Sequence, residues 1–121
     1  GFVPPGWVTN EAGRRAIREA GFAYRTDATA LYRLPDERRL PLPTVVMSSR
    51  SPWRRRLFRA LNQLRLWRYQ RAPVIRLALH PVDLRHEDSR RFWLDTVRQL
   101  RGERRCVTKR RWLLEQAGVA R

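Results

Sequence analysis

The chain has 121 residues, with 27 lysines and arginines against 11 acids and a formal charge of +16. That length holds one modest core but not two independent domains, and 42% apolar residues with 10% aromatics exclude a disordered chain. Lys109 is the sole lysine, so the basicity fits the drift of a GC-rich genome better than a surface built for phosphates, a polyanion or anionic-membrane surface being the alternative.

Residues 2–7 (FVPPGW) read as a loop leaving a strand. Thr9 or Asn10 then caps a helix to about Ala20, with Glu11 in its first turn, where a negative charge suits the helix dipole. Ala12, Ala16 and Ile17 form its expected buried face, and Gly21 stands where a left-handed C-terminal residue belongs. Residues 22–26 read as a strand. Residues 31–34 and 39–42 flank a turn at Pro35-Asp36-Glu37 and predict a hairpin-like insertion. Residues 44–48 (TVVMS) make a further short buried strand.

Ser51 as N-cap and Pro52 at the first helical position open a long helix to about Arg71. Its stripe of Trp53, Leu57, Leu61, Leu64 and Leu66 or Trp67 predicts a buried face. Arg54, Arg55, Arg59, Arg65 and Arg68 lie opposite. They read as a solvated face whose stems cover apolar surface, or as a basic amphipathic face for a membrane or polyanion. Residues 74–79 (VIRLAL), bounded by Pro73 and Pro81, predict a buried strand. It ends in His80, Pro81, Val82 and Asp83, at the position where α/β folds place their chemistry.

A helix over about 88–100 buries Phe92, Trp93, Val97 and Leu100; Cys106 and Val107 read as a short last strand. Thr108 caps a final helix through Gln116, before Gly118. Trp53, Trp67, Trp93 and Trp112 all lie on helical stripes and are expected in the core. The alternation of strands and helices implies α/β architecture, a mostly parallel sheet covered by helices. Cys106 is alone, so neither an intrachain disulfide nor a cysteine zinc cluster is possible, and it is expected to be structural. No stretch resembles a secretory leader or a membrane span, which leads to a cytoplasmic expectation. The chain opens on Gly1, inside what reads as a strand end, and is expected to be a fragment.

The block Phe2-Val3-Pro4-Pro5-Gly6-Trp7, followed by a helix ending Arg18-Glu19-Ala20-Gly21-Phe22-Ala23-Tyr24, resembles the middle of the polysaccharide deacetylase (NodB-homology) superfamily. There a Pro-Pro loop precedes a helix that ends in alanine, glycine and an aromatic before a strand. Leu77-Ala78-Leu79-His80 is similar to that family's last motif, a leucine-rich strand ending in histidine. The two blocks stand in order about 70 residues apart and the likeness covers about the first 100 residues. It is closest to a bacterial branch with His-Pro-Val-Asp after the strand.

The resemblance implies the C-terminal half of a distorted (β/α) TIM-like barrel, a single partial deacetylase-like domain over residues 1–121 whose N-terminal half-barrel is missing. It implies a hydrolase that removes acetyl groups from a carbohydrate, as amides or esters, with a divalent metal, usually zinc. By the same resemblance His80 is the general acid that protonates the leaving amine or alkoxide, a task that suits an imidazole with an ordinary pKa of about 6.5. Asp83 orients that ring or binds substrate, or else caps a helix or turn. Pro4, Pro5 and Trp7 shape the substrate groove, Trp7 offering a stacking face or packing in the core. Asp27, just past a strand, lines the cleft or begins the insertion.

Val3 stands where the family carries an arginine before the proline pair, and neither an Asp-Asp pair nor a His-x-x-x-His motif occurs. His80 and His86 are separated by Pro81 and share no helical face, so the chain cannot build the family's metal site alone. His86, in the charged run Arg85-His86-Glu87-Asp88, is expected to be solvated or to cap a helix. Two other readings remain: a non-catalytic module that holds a glycan or partner, and an arginine-rich nucleic-acid-binding domain. The last finds no helix-turn-helix, zinc finger or RNA-binding aromatic motif, so no specific nucleic acid is expected.

Overall fold

The first helix begins where its cap allows. In the computed structural model, which describes residues 1–48 and 51–118, the Asn10 side chain accepts the Gly13 N–H at 2.8 Å and α1 runs Glu11–Glu19. Gly21 follows at φ +70°, a left-handed turn that glycine makes without steric cost. The chain divides into two compact units, one formed by residues 1–42 and the chain from Val107 onward, the other by Pro43–Cys106.

In the first unit β1 (Tyr24–Thr26), β2 (Ala30–Arg33) and β3 (Arg38–Pro41) form an antiparallel meander, with Thr26 opposite Leu31 and Leu31 opposite Leu40. Phe2 pairs alongside Arg25 and bonds to the backbone of Tyr24 and Thr26, so the Pro-Pro loop does leave an extended segment. Ile17, Ala30, Leu31, Leu40 and Leu42 are buried. Arg25 is buried too; its guanidinium stacks 3.8 Å from the Tyr32 ring centroid and pairs with Glu37 at 2.6 Å. Helix α4 (Lys109–Gln116), capped by the Thr108 hydroxyl accepting from the Arg111 N–H, buries Trp112 and Leu113.

The second unit is built on β4 (Thr44–Val46) and β5 (Arg76–Ala78), paired in parallel with Val45 opposite Leu77 and joined through α2 (Pro52–Arg68). After β5 comes a 3₁₀ turn (Pro81–Arg85) and then α3 (Glu87–Glu103). Val45, Met47, Phe92 and Trp93 form the core, with Leu66, Tyr69, Ile75 and Leu77 packed against it. Phe92 and Trp93 meet edge to face at 5.3 Å. Two arginines clamp α2 to α3. Arg55 Nε lies 3.1 Å from Asp88 Oδ2 at their N-terminal ends. At their C-terminal ends the Arg104 guanidinium donates to the carbonyls of Ala72 (2.7 Å) and Tyr69 (3.3 Å), in the turn that follows α2. Like ends are therefore held together, and the two helices run in the same direction.

The mostly parallel half-barrel does not form. The fold is α+β: a three-stranded antiparallel sheet, a separate parallel pair and four helices among the described residues, with no barrel closure. The reason lies in connection length. Three residues separate β1 from β2 and four separate β2 from β3, whereas a parallel crossover needs a dozen or more residues. Only β4 and β5 have such a crossover, supplied by α2. Residues 106 and 107 form no strand, and Cys106 is exposed rather than packed in the core. Ala12 and Ala16 are exposed as well, leaving Ile17 as the buried residue of α1.

The long helix also differs. Its stripe of Trp53, Leu57, Leu61, Leu64 and Trp67 faces solvent, Trp53 at 62% and Trp67 at 66% exposure. The face turned inward carries Phe58, Asn62, Leu66 and, just past the helix, Tyr69. Asn62 is fully buried; its amide donates to the Val46 carbonyl at 2.9 Å, which satisfies a polar group that would otherwise oppose burial. No helix among the described residues is long and apolar enough to cross a membrane.

Candidate functional site

His80 sits two residues past the C-terminal end of β5, in extended backbone (φ −107°, ψ 146°) before the 3₁₀ turn. Its side chain is exposed, whereas Asp83, three residues on, is fully buried. The Asp83 carboxylate accepts the His80 backbone N–H at 3.0 Å and the Trp93 indole N–H at 3.2 Å, both on Oδ2. The Asp83 N–H in turn donates to the His80 carbonyl at 2.9 Å. Pro81 fixes one backbone dihedral of the segment between them. The imidazole is therefore presented to solvent from backbone locked to the core, and Asp83 supports the His80 main chain as a turn cap.

Pro4, Pro5, Trp7 and Asp27 belong to the first unit, and His80 and Asp83 to the second. Pro4 is buried, Pro5 exposed and Trp7 half-buried. Gly6 and Trp7 both adopt positive φ, 59° and 60°. In tryptophan that conformation costs on the order of 1 kcal/mol and is kept only where surrounding contacts impose it; here the Trp7 N–H returns to the Pro4 carbonyl at 3.0 Å.

Asp27 is committed to its own turn. Oδ1 accepts from the Thr29 N–H (2.7 Å), the Ala30 N–H (2.8 Å) and the Thr29 hydroxyl (3.1 Å), and Oδ2 accepts from the Tyr32 hydroxyl at 2.7 Å. Burial pushes its pKa up, but the bonds from Thr29, Tyr32 and Ala30 outweigh it and hold the carboxyl below its ordinary value. It is an anion whose lone pairs are largely spent on the β1–β2 connection.

Between the first turns of α2 and α3 lies an open groove of about 490 Å³, lined by Arg55, Arg59, Arg85, His86 and Arg91 with the carboxylates of Glu87 and Asp88. Burial raises Asp88, but the Arg55 guanidinium and the Ser89 N–H keep it below its ordinary value. Glu87 is lowered by bonds from Arg90 and Arg91. Both carboxylates are thus ion-paired anions, while Arg59 and Arg85 have no acidic partner among the described residues. Four arginines against two acids leave the groove at +2 with His86 neutral. His86 occupies the N-cap position of α3 without a side-chain cap bond, half-buried in this groove.

No group of three or more His, Cys, Asp or Glu side chains among the described residues is placed to hold a metal ion. Sequence reasoning missed the Trp93 indole as a donor to Asp83, and no spacing signal links positions ten apart across a turn and a helix. It also missed the basic groove, although Arg55, Arg59 and Arg85 were visible as unusually dense cations. Compared with protein-family models, curated proteins and solved structures, the chain matches none.

Proposed function

We propose that the second unit carries the proton-donor side of a carbohydrate deacetylase, His80 protonating the leaving amine or alkoxide as an acetyl group is removed. One observation carries the reading: an exposed imidazole at the C-terminal end of a parallel strand, on backbone pinned by a fully buried carboxylate. A general acid must be accessible and carried on a fixed backbone, and the exposed imidazole on its pinned main chain supports the reading. A barrel is not required for that geometry; the β4–α2–β5 unit provides it. Asp83 acts through the His80 main chain as a positioning residue. The metal ligands and the general base of such a hydrolase come, in this reading, from residues outside this chain, the contribution that the resemblance assigns to an N-terminal half.

The test is acetate release from N- and O-acetylated oligosaccharides by the natural polypeptide that contains these residues, wild type against His80→Asn. The exposed position predicts an unchanged melting curve and a loss in kcat of about 10²–10⁴-fold. A variant that keeps full turnover overturns the assignment. Equal oligosaccharide binding by the two proteins, with no acetate released by either, replaces it with a non-catalytic glycan-binding module.

A further inference from the structure

We propose that the outward face of α2 docks on an anionic bilayer surface, lying in the interface plane with its apolar stripe among the acyl chains. The inference is independent of the role of His80. At 100° per residue, positions 53, 57, 60, 61, 64 and 67 fall within an arc of about 120°. Five of them are large apolar residues exposed to solvent: Trp53, Leu57, Leu61, Leu64 and Trp67. The opposite arc already packs on Val45, Met47, Phe92 and Trp93 through Leu66 and Tyr69. A helix apolar on both faces is one that is covered on both, and contiguous exposed apolar surface marks an interaction site.

Charge selects the occupant. Helix α2 contains six arginines and no acid. Arg55 is turned to Asp88, and Arg65 to Asn62 at 3.3 Å. Arg54 borders one side of the stripe and Arg56 the other, Arg68 lies within it at the C-terminal end, and none of the three is ion-paired among the described residues. The Arg54 guanidinium lies 5.3 Å from the Trp53 ring centroid, and its long stem can follow the apolar surface while its head stays at the rim. Trp53 and Trp67 stand about 21 Å apart along the axis. Tryptophan at both ends, leucine between, and arginines at both rims of the first turn and at the C-terminal end make the composition of a helix lying in the plane of a lipid headgroup layer. A protein groove would cover the leucines equally well, but a helix with six arginines and not one acid best complements a surface that is uniformly anionic.

The experiment is flotation of the chain with vesicles of equimolar phosphatidylglycerol and phosphatidylcholine, against phosphatidylcholine alone. Partition into the anionic vesicles is expected, with tryptophan emission quenched by acyl-chain bromines. Arg54→Gln, Arg56→Gln and Arg68→Gln together should weaken binding on the order of 100-fold, at about fivefold per arginine. Leu57→Asp with Leu64→Asp should weaken it at least tenfold while far-ultraviolet circular dichroism stays native, and Leu57→Ser with Leu64→Ser is the milder second variant. No flotation overturns the proposal, as does flotation without bromine quenching. Binding untouched by the leucine variants also overturns it, since the charge of the whole chain then suffices. So does concentration-dependent self-association that those variants abolish in the absence of vesicle binding, which would make a second copy the occupant.

Discussion

Replacing Asp83 by alanine separates the two jobs of the His80 segment. Trp93 is 2% exposed, so its indole N–H loses its partner where water does not reach, a loss of about 1–3 kcal/mol. The His80 N–H belongs to an exposed residue; water replaces much of that bond, and the loss is about 0.5–1 kcal/mol. Asp83→Ala is therefore expected to destabilise the protein by about 1.5–4 kcal/mol, a large part of a domain's usual 5–15 kcal/mol. Asp83→Asn keeps one acceptor in place and should cost about half as much. His80→Ala removes an exposed imidazole and should stay within about 0.5 kcal/mol of wild type. Urea unfolding followed by far-ultraviolet circular dichroism gives all three values, and the Asp83→Ala, Trp93→Phe cycle isolates the shared bond as a coupling of about 1 kcal/mol or more. If Asp83→Ala falls within about 0.5 kcal/mol of wild type, the buried carboxylate is not what holds the loop. If His80→Ala costs as much as Asp83→Ala, the imidazole is a structural group and its role as proton donor fails with it.

Asp27→Ala should destabilise by about 1–3 kcal/mol, because it strips two backbone donors and the Tyr32 hydroxyl of their acceptor; thermal unfolding measures it, and a neutral result would mean that the β1–β2 turn holds without its carboxylate. Glu37 accepts from Arg18 at 3.0 Å and Arg25 at 2.6 Å; burial raises its pKa, but those two guanidiniums hold it below the ordinary 4.5. Its stabilising contribution is thus present above pH 4.5 and is lost as pH falls through the lowered folded value, so the stability gap between wild type and Glu37→Gln should close on acidification, and a gap that widens there refutes the sign. Leu64→Asp should leave stability within about 0.5 kcal/mol, whereas Trp93→Ala should cost about 3–5 kcal/mol; equal losses in urea unfolding would show that the outer face of α2 is packed in the free protein.

Much of the local structure was legible because caps and turns are local physics. Asn10, Thr108, Gly21 and the turn at Pro35-Asp36-Glu37 each mark an element boundary through one side chain or one backbone conformation. Strand direction was equally legible and was misread: three residues between β1 and β2 dictate antiparallel pairing whatever family the flanking motifs resemble. Helix α2 was misread for a different reason. It carries two apolar arcs, and hydrophobicity alone favours the larger one, with two tryptophans. Packing uses the other, where Leu66 and Tyr69 meet the core and share a face with an asparagine whose amide is satisfied by the Val46 carbonyl. That carbonyl comes from a strand 16 residues earlier in the chain, and no pattern within the helix announces it.

The candidate site shows the same division more sharply. A histidine at the end of an apolar run, followed by proline, is visible as a strand terminus, and β5 ends two residues before it. Three residues on, an aspartate fits two roles equally: partner of the imidazole, or cap of the next turn. The sequence holds both open because each needs the same residue at the same offset. What decides is the Trp93 indole, in the second turn of α3, which shares Asp83 Oδ2 with the His80 N–H. The carboxylate thereby joins the loop to the residue that also anchors the core beside Val45, Met47 and Phe92. Loosening that core should move His80 before it unfolds the unit. A Phe92→Leu variant, still folded, should therefore lose protection of the His80 amide in hydrogen exchange earlier than that of Val45, whereas simultaneous loss would place the loop and the core in one cooperative step.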